Sequence, residues 1–465
     1  MSVLDLTARE LAATIATGAA APDDVIDELE RSISRLPDDL NPFIAIDLDH
    51  ARDEARMHAA LPPEQRGVLH GVPLPIKDLE RTAHLPTTFG LPFALDPSST
   101  PADGSFAARA RTAGAMMYAK TNTSALGHKD VTENLVVGVT THPMDRTRTP
   151  GGSSGGAAAA VAAGLGPVAH GTDAGGSVRF PASLCGLVGF KPSFGRLSRV
   201  PVADLWAARG HHGFLTRDVG DVAFLMDALS GHDRRDPLSP PGSWRDGHVA
   251  AAPRILSLTT MFGQRLNPGV DRAFAAALAR LESAGLQIER GEITWQDPIP
   301  DGNVPMAARD WRLLGARAEQ SPELFERSHL ELIHAGSMVT TTDLLRAQES
   351  RSRLYSDAVA LFDGCDLLVT PTMPITAWRW DDEHPIVDGT PIELGPGGRW
   401  MDLLLANLTG WPSISVPCGW SDGLPVGLQI TAPPTQDLAC IAFAATAEEI
   451  LEFDPTSPPI PEGRR

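Results

Sequence analysis

Hydrophobic and polar positions follow two different periods along this chain. Apolar residues recur at helical spacing after Thr7, where Thr7 and Glu10 form a capping-box pattern, and the helix is expected to run to Ala16. Amphipathic stretches at Pro22–Leu36 and Asp49–Leu61 predict two more helices. From Gly67 the pattern turns apolar and β-like, predicting a strand to Ile76 whose apolar run Val72–Ile76 delivers Lys77 and Asp78. Gly104–Ala113 reads as a helix and Ala115–Lys120 as a short strand, followed by the polar loop Thr121–Thr123. Pro150–Pro181, PGGSSGGAAAAVAAGLGPVAHGTDAGGSVRFP, holds two glycine-rich turns that each carry serine. Between them lie an alanine-rich helix, Gly155–Ala163, ending at Gly164, and a short strand, Pro167–His170. Glycines in such turns let several backbone N–H groups converge on one point, an arrangement suited to developing negative charge.

Beyond this stretch, Leu187–Phe190 is a buried strand closed by Lys191-Pro192, and Asp218–Ser230 is a helix with Leu225, Met226 and Leu229 on its apolar face. Gly231–Ala252, rich in Pro, Gly, Asp and Arg, reads as a linker. Strand Pro253–Thr259, helix Gly269–Ala284 and strand Leu286–Ile293 then form a βαβ-like unit. Residues 305–362 are mostly helical, Asp366–Thr370, Ser413–Pro417 and Val426–Thr431 are strands, and Gln436–Ile450 is a last helix. Strands scattered among helices over the full length predict an α/β fold with one sheet assembled from distant pieces.

Composition narrows the function. With 465 residues the chain has room for two or three domains or one large α/β domain. A net charge of −19 argues against a nucleic-acid partner. No apolar run reaches the length of a membrane span and no secretory pattern opens the chain, so a cytoplasmic protein is expected. The four cysteines are widely spaced, HExxH is absent and most histidines stand alone, so no metal and no cofactor are expected. Only four lysines, Lys77, Lys120, Lys129 and Lys191, stand against 35 arginines. Codon bias explains the arginines, but a buried lysine can lose its proton and act as a base, which arginine cannot.

Several chemistries compete for the two turns. Neither continues as GK[ST], which excludes a P-loop, and no lysine follows a serine at S-x-x-K spacing. Gly151–Gly155 fits G-x-S-x-G, but polar Asp145–Pro150 is no strand for a nucleophile elbow. What remains is a pair of serines with a lysine as base, against the bland alternative of two tight connections.

GGSSGGAAAAVAAG followed by GTDAGGSVRFPASLCGLVGFKPS resembles the signature of the amidase signature family, with Ser153 and Ser177 lying 24 residues apart. Further resemblance runs through HGVPLPIKD (70–78), SFAARARTAGAMMYAKTN (105–122), TEN (132–134), CDLLVTPTMP (365–374), NLTGWPSISVPCG (407–419) and GLPVGLQI (423–430), with a weak middle from Val200 to Leu361. The resemblance implies a single α/β/α domain over 1–465 with a central mixed sheet covered by helices. Within it, 1–65 is an N-terminal helical segment, 66–230 the signature core, 231–362 a variable substrate-pocket region, and 363–465 completes the sheet.

The resemblance also implies a Ser–cis-Ser–Lys triad, with Ser177 as nucleophile, Ser153 as bridging serine after a cis peptide bond, and Lys77 as base. Backbone N–H groups of Ala174, Gly175, Gly176 and Ser177 would hold the oxyanion. Ser154 is placed either against Lys77 or as a helix cap. Asp173 and Arg179 are expected to support the turn, with a substrate carboxylate as the alternative partner for Arg179. Trp206, His211 and His212 are candidates for the substrate mouth, and Met306, Trp311 and Met338 for the acyl pocket. The implied activity is hydrolysis of a linear C–N bond in a small amide, with esters and carbamates as related substrates and a second copy of the chain as a candidate partner. One alternative is the A-type subunit of a tRNA-dependent amidotransferase, weakened by the unusual segment Pro201–Phe214. The other is a non-catalytic scaffold of the same fold.

Overall fold

The computed structural model describes residues 2–95, 101–202, 204–206, 209–392 and 401–455. An eight-stranded mixed sheet runs through its centre, in the spatial order Ile288–Arg290, Ile255–Ser257, Leu367–Pro371, Leu424–Thr431, Ser413–Ser421, Val188–Lys191, His211–Thr216 and Val168–Asp173. The first two pairings are parallel and the other five antiparallel. This is the α/β architecture with a mixed central sheet that the sequence leads one to expect.

Both faces of the sheet are covered, so successive strand residues enter different cores. Val168, Phe214 and Leu367 join a large cluster with Leu225, Phe274 and Phe443 from helices Val219–Leu229, Pro268–Ser283 and Asp437–Leu451. Ala169 and Leu215 face the other way, onto Ala157, Ala158 and Val161 of helix Gly155–Ala162 and Ala182 of helix Arg179–Cys185. Leu368 packs on that side against Leu354 of helix Thr341–Phe362 and Leu404 of helix Met401–Thr409. The alanines Ala157 to Ala160 of helix Gly155–Ala162 are all buried, so small side chains let this helix lie close against the sheet.

A small three-stranded sheet sits beside the main one and places the lysine. Ala119–Thr121 lies between Phe43–Ile46 and Ile76–Lys77, with Ile76 opposite Lys120 and Lys77 opposite Thr121. The predicted strand Gly67–Ile76 is reduced to these last residues. Gly71 adopts φ +80°, and Pro73 and Pro75 have no N–H to give a ladder. Strand His211–Thr216 and helices Arg179–Cys185 and Met401–Thr409 were not expected from the pattern of the sequence. Thr7 and Glu10 do form the capping box of helix Ala8–Ala16. Among the described residues, no helix is long and apolar enough to cross a membrane.

Candidate active site

Lys77 is completely buried at the end of its short strand. Its Nζ lies 2.8 Å from Ser153 Oγ, 2.8 Å from Ser154 Oγ and 3.3 Å from the Thr172 carbonyl. Among the described residues no carboxylate reaches ion-pair distance of this amine. Burial pushes its pKa well below the usual lysine range, against a weaker opposing pull from Asp173. The other lysines are held differently. Lys120 Nζ lies 3.6 Å from Asp78, Lys129 is gripped by Glu133 and Glu326 at 2.7 and 2.6 Å, and Lys191 donates to the carbonyls of Pro192 and Trp411.

The two glycine-rich turns meet at Lys77. Ser153 follows a cis peptide bond from Gly152, and a Cβ on Gly152 would lie 2.8 Å from the Asp130 carbonyl carbon. The Ser154 N–H donates to the Ser177 carbonyl at 3.2 Å, which ties one turn to the other. No hydrogen bond joins Ser153 Oγ to Ser177 Oγ among the described residues. Such contacts commonly tighten only when substrate is bound.

Asp173 organises the second turn. Its Oδ1 accepts from Gly176 N, Arg179 Nη2 and Asn407 Nδ2, and its Oδ2 accepts from Val178 N, Arg179 N and Arg179 Nε. Burial alone would raise the Asp173 pKa, but Arg179 and Asn407 hold it far below the ordinary carboxylate range. Gly176 has φ +106°, and a Cβ there would collide with Leu403 Cδ1, so glycine is required on both counts. The N–H groups of Ala174, Gly175 and Ser177 make no hydrogen bond among the described residues.

The family model Amidase matches residues 24–441. The chain belongs to the amidase signature family. It is 31% identical to the A-type subunit of the glutamyl-tRNA(Gln) amidotransferase of Symbiobacterium thermophilum, the alignment covering 98% of this chain and 99% of that protein. It is 32% identical to an acylamidase of Rhodococcus erythropolis, covering 97% of each. The solved structure of a bacterial aryl acylamidase of the amidase signature family superposes with a TM-score of 0.89 at 26% identity, covering 98% of this chain and 99% of that one.

Within this amidase-signature chain the expected residues fall into distinct places. Lys77, Ser153 and Ser154 converge, and Ser154 Oγ serves Lys77 and the Thr172 carbonyl instead of capping its helix. Gly176 is corrected as an oxyanion donor, because its N–H is occupied by Asp173 at 2.8 Å, while those of Ala174 and Gly175 have no hydrogen bond among the described residues. Arg179 is fully buried, with its guanidinium on Asp173, Gln429, Asn407 and the Leu403 carbonyl, so it is turned inward and away from any ligand. Trp206 is exposed, whereas His211 and His212 are buried in the sheet and do not open onto solvent. Ala203, Ala207 and Ala208 of the same segment lie outside the described residues.

The sequence reading missed Asn407, which bridges Asp173 and the Arg209 carbonyl, although it opens the NLTGW block. It also missed His170, whose Nδ1 accepts the Lys77 backbone N–H at 3.3 Å while its Nε2 meets His212 Nδ1 at 2.9 Å. Elsewhere, His50, Glu54 and His84 bring ligand-type atoms within 4.8 Å of one another. The Arg111 guanidinium sits against Glu54 and His84 and holds the cation's place there.

Proposed function

We propose that the protein is an amidase that hydrolyses a linear C–N bond of a small amide through a Ser177 acyl-enzyme. The observation that carries this reading is a buried lysine amine, without a carboxylate partner among the described residues, 2.8 Å from the hydroxyl of Ser153. Neutral Lys77 takes the proton of Ser153 as Ser153 takes that of Ser177, and Ser177 Oγ forms a bond to the acyl carbon. The free N–H groups of Ala174, Gly175 and Ser177 stabilise the oxyanion, a role worth about 3 kcal/mol per donor in comparable sites. Collapse breaks the C–N bond, the relay returns the proton to the leaving nitrogen, and water then releases the acid. Ser154 and Thr172 orient the Lys77 amine, and Asp173 shapes the turn. The four cysteines, buried and unpaired, support a reducing, cytoplasmic setting.

Similarity to an amidotransferase component favours a second reading, in which ammonia released from an amide passes to a partner-bound acceptor. Purification of the chain alone as an active hydrolase separates the two. A fluorophosphonate probe should label the wild type and fail to label Ser177→Ala. Labelling that survives this substitution would sink the nucleophile assignment.

A further inference from the structure

Arg209 lies two residues before the point where strand His211–Thr216 pairs with Asp173. Asn407 ties it to the nucleophile turn, donating from Nδ2 to the Arg209 carbonyl at 3.4 Å, to the Asp173 carbonyl at 3.0 Å and to Asp173 Oδ1 at 2.8 Å. The Arg209 guanidinium donates to the Gly302 carbonyl at 2.9 Å and lies 3.5 Å from Met306 Sδ. Among the described residues no carboxylate comes within ion-pair distance of it. Across Gly210, the Arg199 guanidinium sits 3.2 Å from where a Gly210 Cβ would stand, again with no hydrogen bond or ion pair among the described residues.

The surroundings do not neutralise this pair. Arg309 and Arg351 add positive charge near Arg209, and Asp310, an acid that acts on it, is already held by Arg309 at 2.6 Å. Asp236, which accepts the Arg199 backbone N–H at 3.2 Å, acts with Asp204 and Glu80 on the Arg199 guanidinium without an ion pair among the described residues, and burial brings the Arg209 pKa down to about 10. Elsewhere in this acidic chain, arginines such as Arg245 and Arg254 close on an aspartate, at 2.6 and 2.8 Å. A desolvated guanidinium without a counter-charge carries a free-energy cost that an arriving anion would offset.

We propose that Arg209, assisted by Arg199, binds a carboxylate on the substrate, so that the preferred amide is an anion charged at the end remote from the scissile bond. This rests on the amidase reading above and names its substrate class. Arginine's fork matches a carboxylate in two parallel hydrogen bonds. Asn407 Nδ2 reaches both the Arg209 and the Asp173 carbonyls, so the Arg209 backbone lies beside the turn and the length of the arginine side chain separates its fork from it. Such a span suits a spacer of a few carbons between carboxylate and amide.

The test compares glutaramate and adipamate with neutral hexanamide, and measures glutarate binding by calorimetry. The wild type is expected to prefer the acid amides by at least about tenfold in kcat/KM, and to bind glutarate less tightly as salt is raised. Arg209→Gln should raise KM for the acid amides about 10- to 100-fold with little change in kcat, lowering the charged-to-neutral selectivity. Arg209→Lys should restore part of it, since it keeps the charge but loses the fork. Equal kcat/KM for charged and neutral amides in the wild type, or unchanged selectivity in Arg209→Gln, overturns the assignment while leaving the amidase reading intact. Arg209-dependent glutarate binding without hydrolysis of any amide supports the anion site and instead removes the amidase reading.

Discussion

Replacing Asp173 by asparagine keeps the side chain's shape and removes its charge. The two carboxylate oxygens accept six hydrogen bonds at 2.8–3.4 Å, three on each oxygen. An asparagine satisfies one set with its carbonyl, but turns an NH2 toward the donors of the other. Three contacts are lost at about 1 kcal/mol each, and Arg179, fully buried, keeps a charge with no anion beside it. Breaking a buried pair in this way costs about 3–5 kcal/mol. Urea unfolding followed by tryptophan fluorescence should show a loss of that size, and fluorophosphonate labelling of Ser177 should slow, because the Gly176 and Val178 N–H groups lose their anchor. Arg179→Met provides the control. In the double variant the stability loss should fall short of the sum of the singles by at least about 2 kcal/mol, since no orphaned charge remains. An Asp173→Asn loss below about 1 kcal/mol, or strict additivity with Arg179→Met, would falsify this account of the turn.

Further outcomes are expected at the lysine, the turn and a buried acid. Lys77→Ala should lower amide hydrolysis about 10²–10⁴-fold and activated-ester hydrolysis by less, because an ester leaving group needs less protonation; equal losses would refute the acid role of the relay. In the wild type, the acylation rate should fall as pH drops through the depressed pKa of Lys77, and an acid limb that persists unchanged in Lys77→Ala would refute its assignment. Gly176→Ala should abolish labelling of Ser177 and destabilise the fold, because φ +106° and the contact with Leu403 both reject a Cβ; wild-type labelling would contradict the geometry. Glu80 is pushed up to about 7 by burial, so the folded chain holds a proton that the unfolded chain releases above about pH 4.5. Its contribution to stability is therefore full below that pH and is lost as pH rises through 7, by roughly 3 kcal/mol. Glu80→Gln should flatten the urea midpoint over this range, and an unaltered pH profile would exclude the effect.

The parts of the fold that were legible in the sequence are those where local and tertiary demands agree. Helix Val219–Leu229 shows its core face and its Asp218 cap, and the two glycine-rich turns mark themselves by composition. Strand His211–Thr216 was hidden because HHGFLT is buried on both faces and opens with two histidines, which pattern reasoning assigns to a surface. Each of those rings finds a partner inside, His211 stacked on Phe194 with centroids 4.4 Å apart and His212 hydrogen-bonded to His170. Helix Arg179–Cys185 was masked by Pro181, which its first turn accommodates without losing a hydrogen bond. In the site, residue types announced the lysine and the serines. Which N–H groups stay free was not legible, because it depends on where the Asp173 carboxylate points. Asn407 reaches that carboxylate from 234 positions away, a distance over which sequence spacing carries no information.

The way this chain uses lysine also governs how it will behave toward reagents. Lys77, Lys120 and Lys191 are sealed from solvent, and Lys129 is clamped between two glutamates. Acylating dyes, aldehyde-activated supports and amine cross-linkers will therefore find hardly a side chain to modify on the native molecule. Unfolding exposes all four amines at once, so the uptake of such a label reports the loss of structure directly.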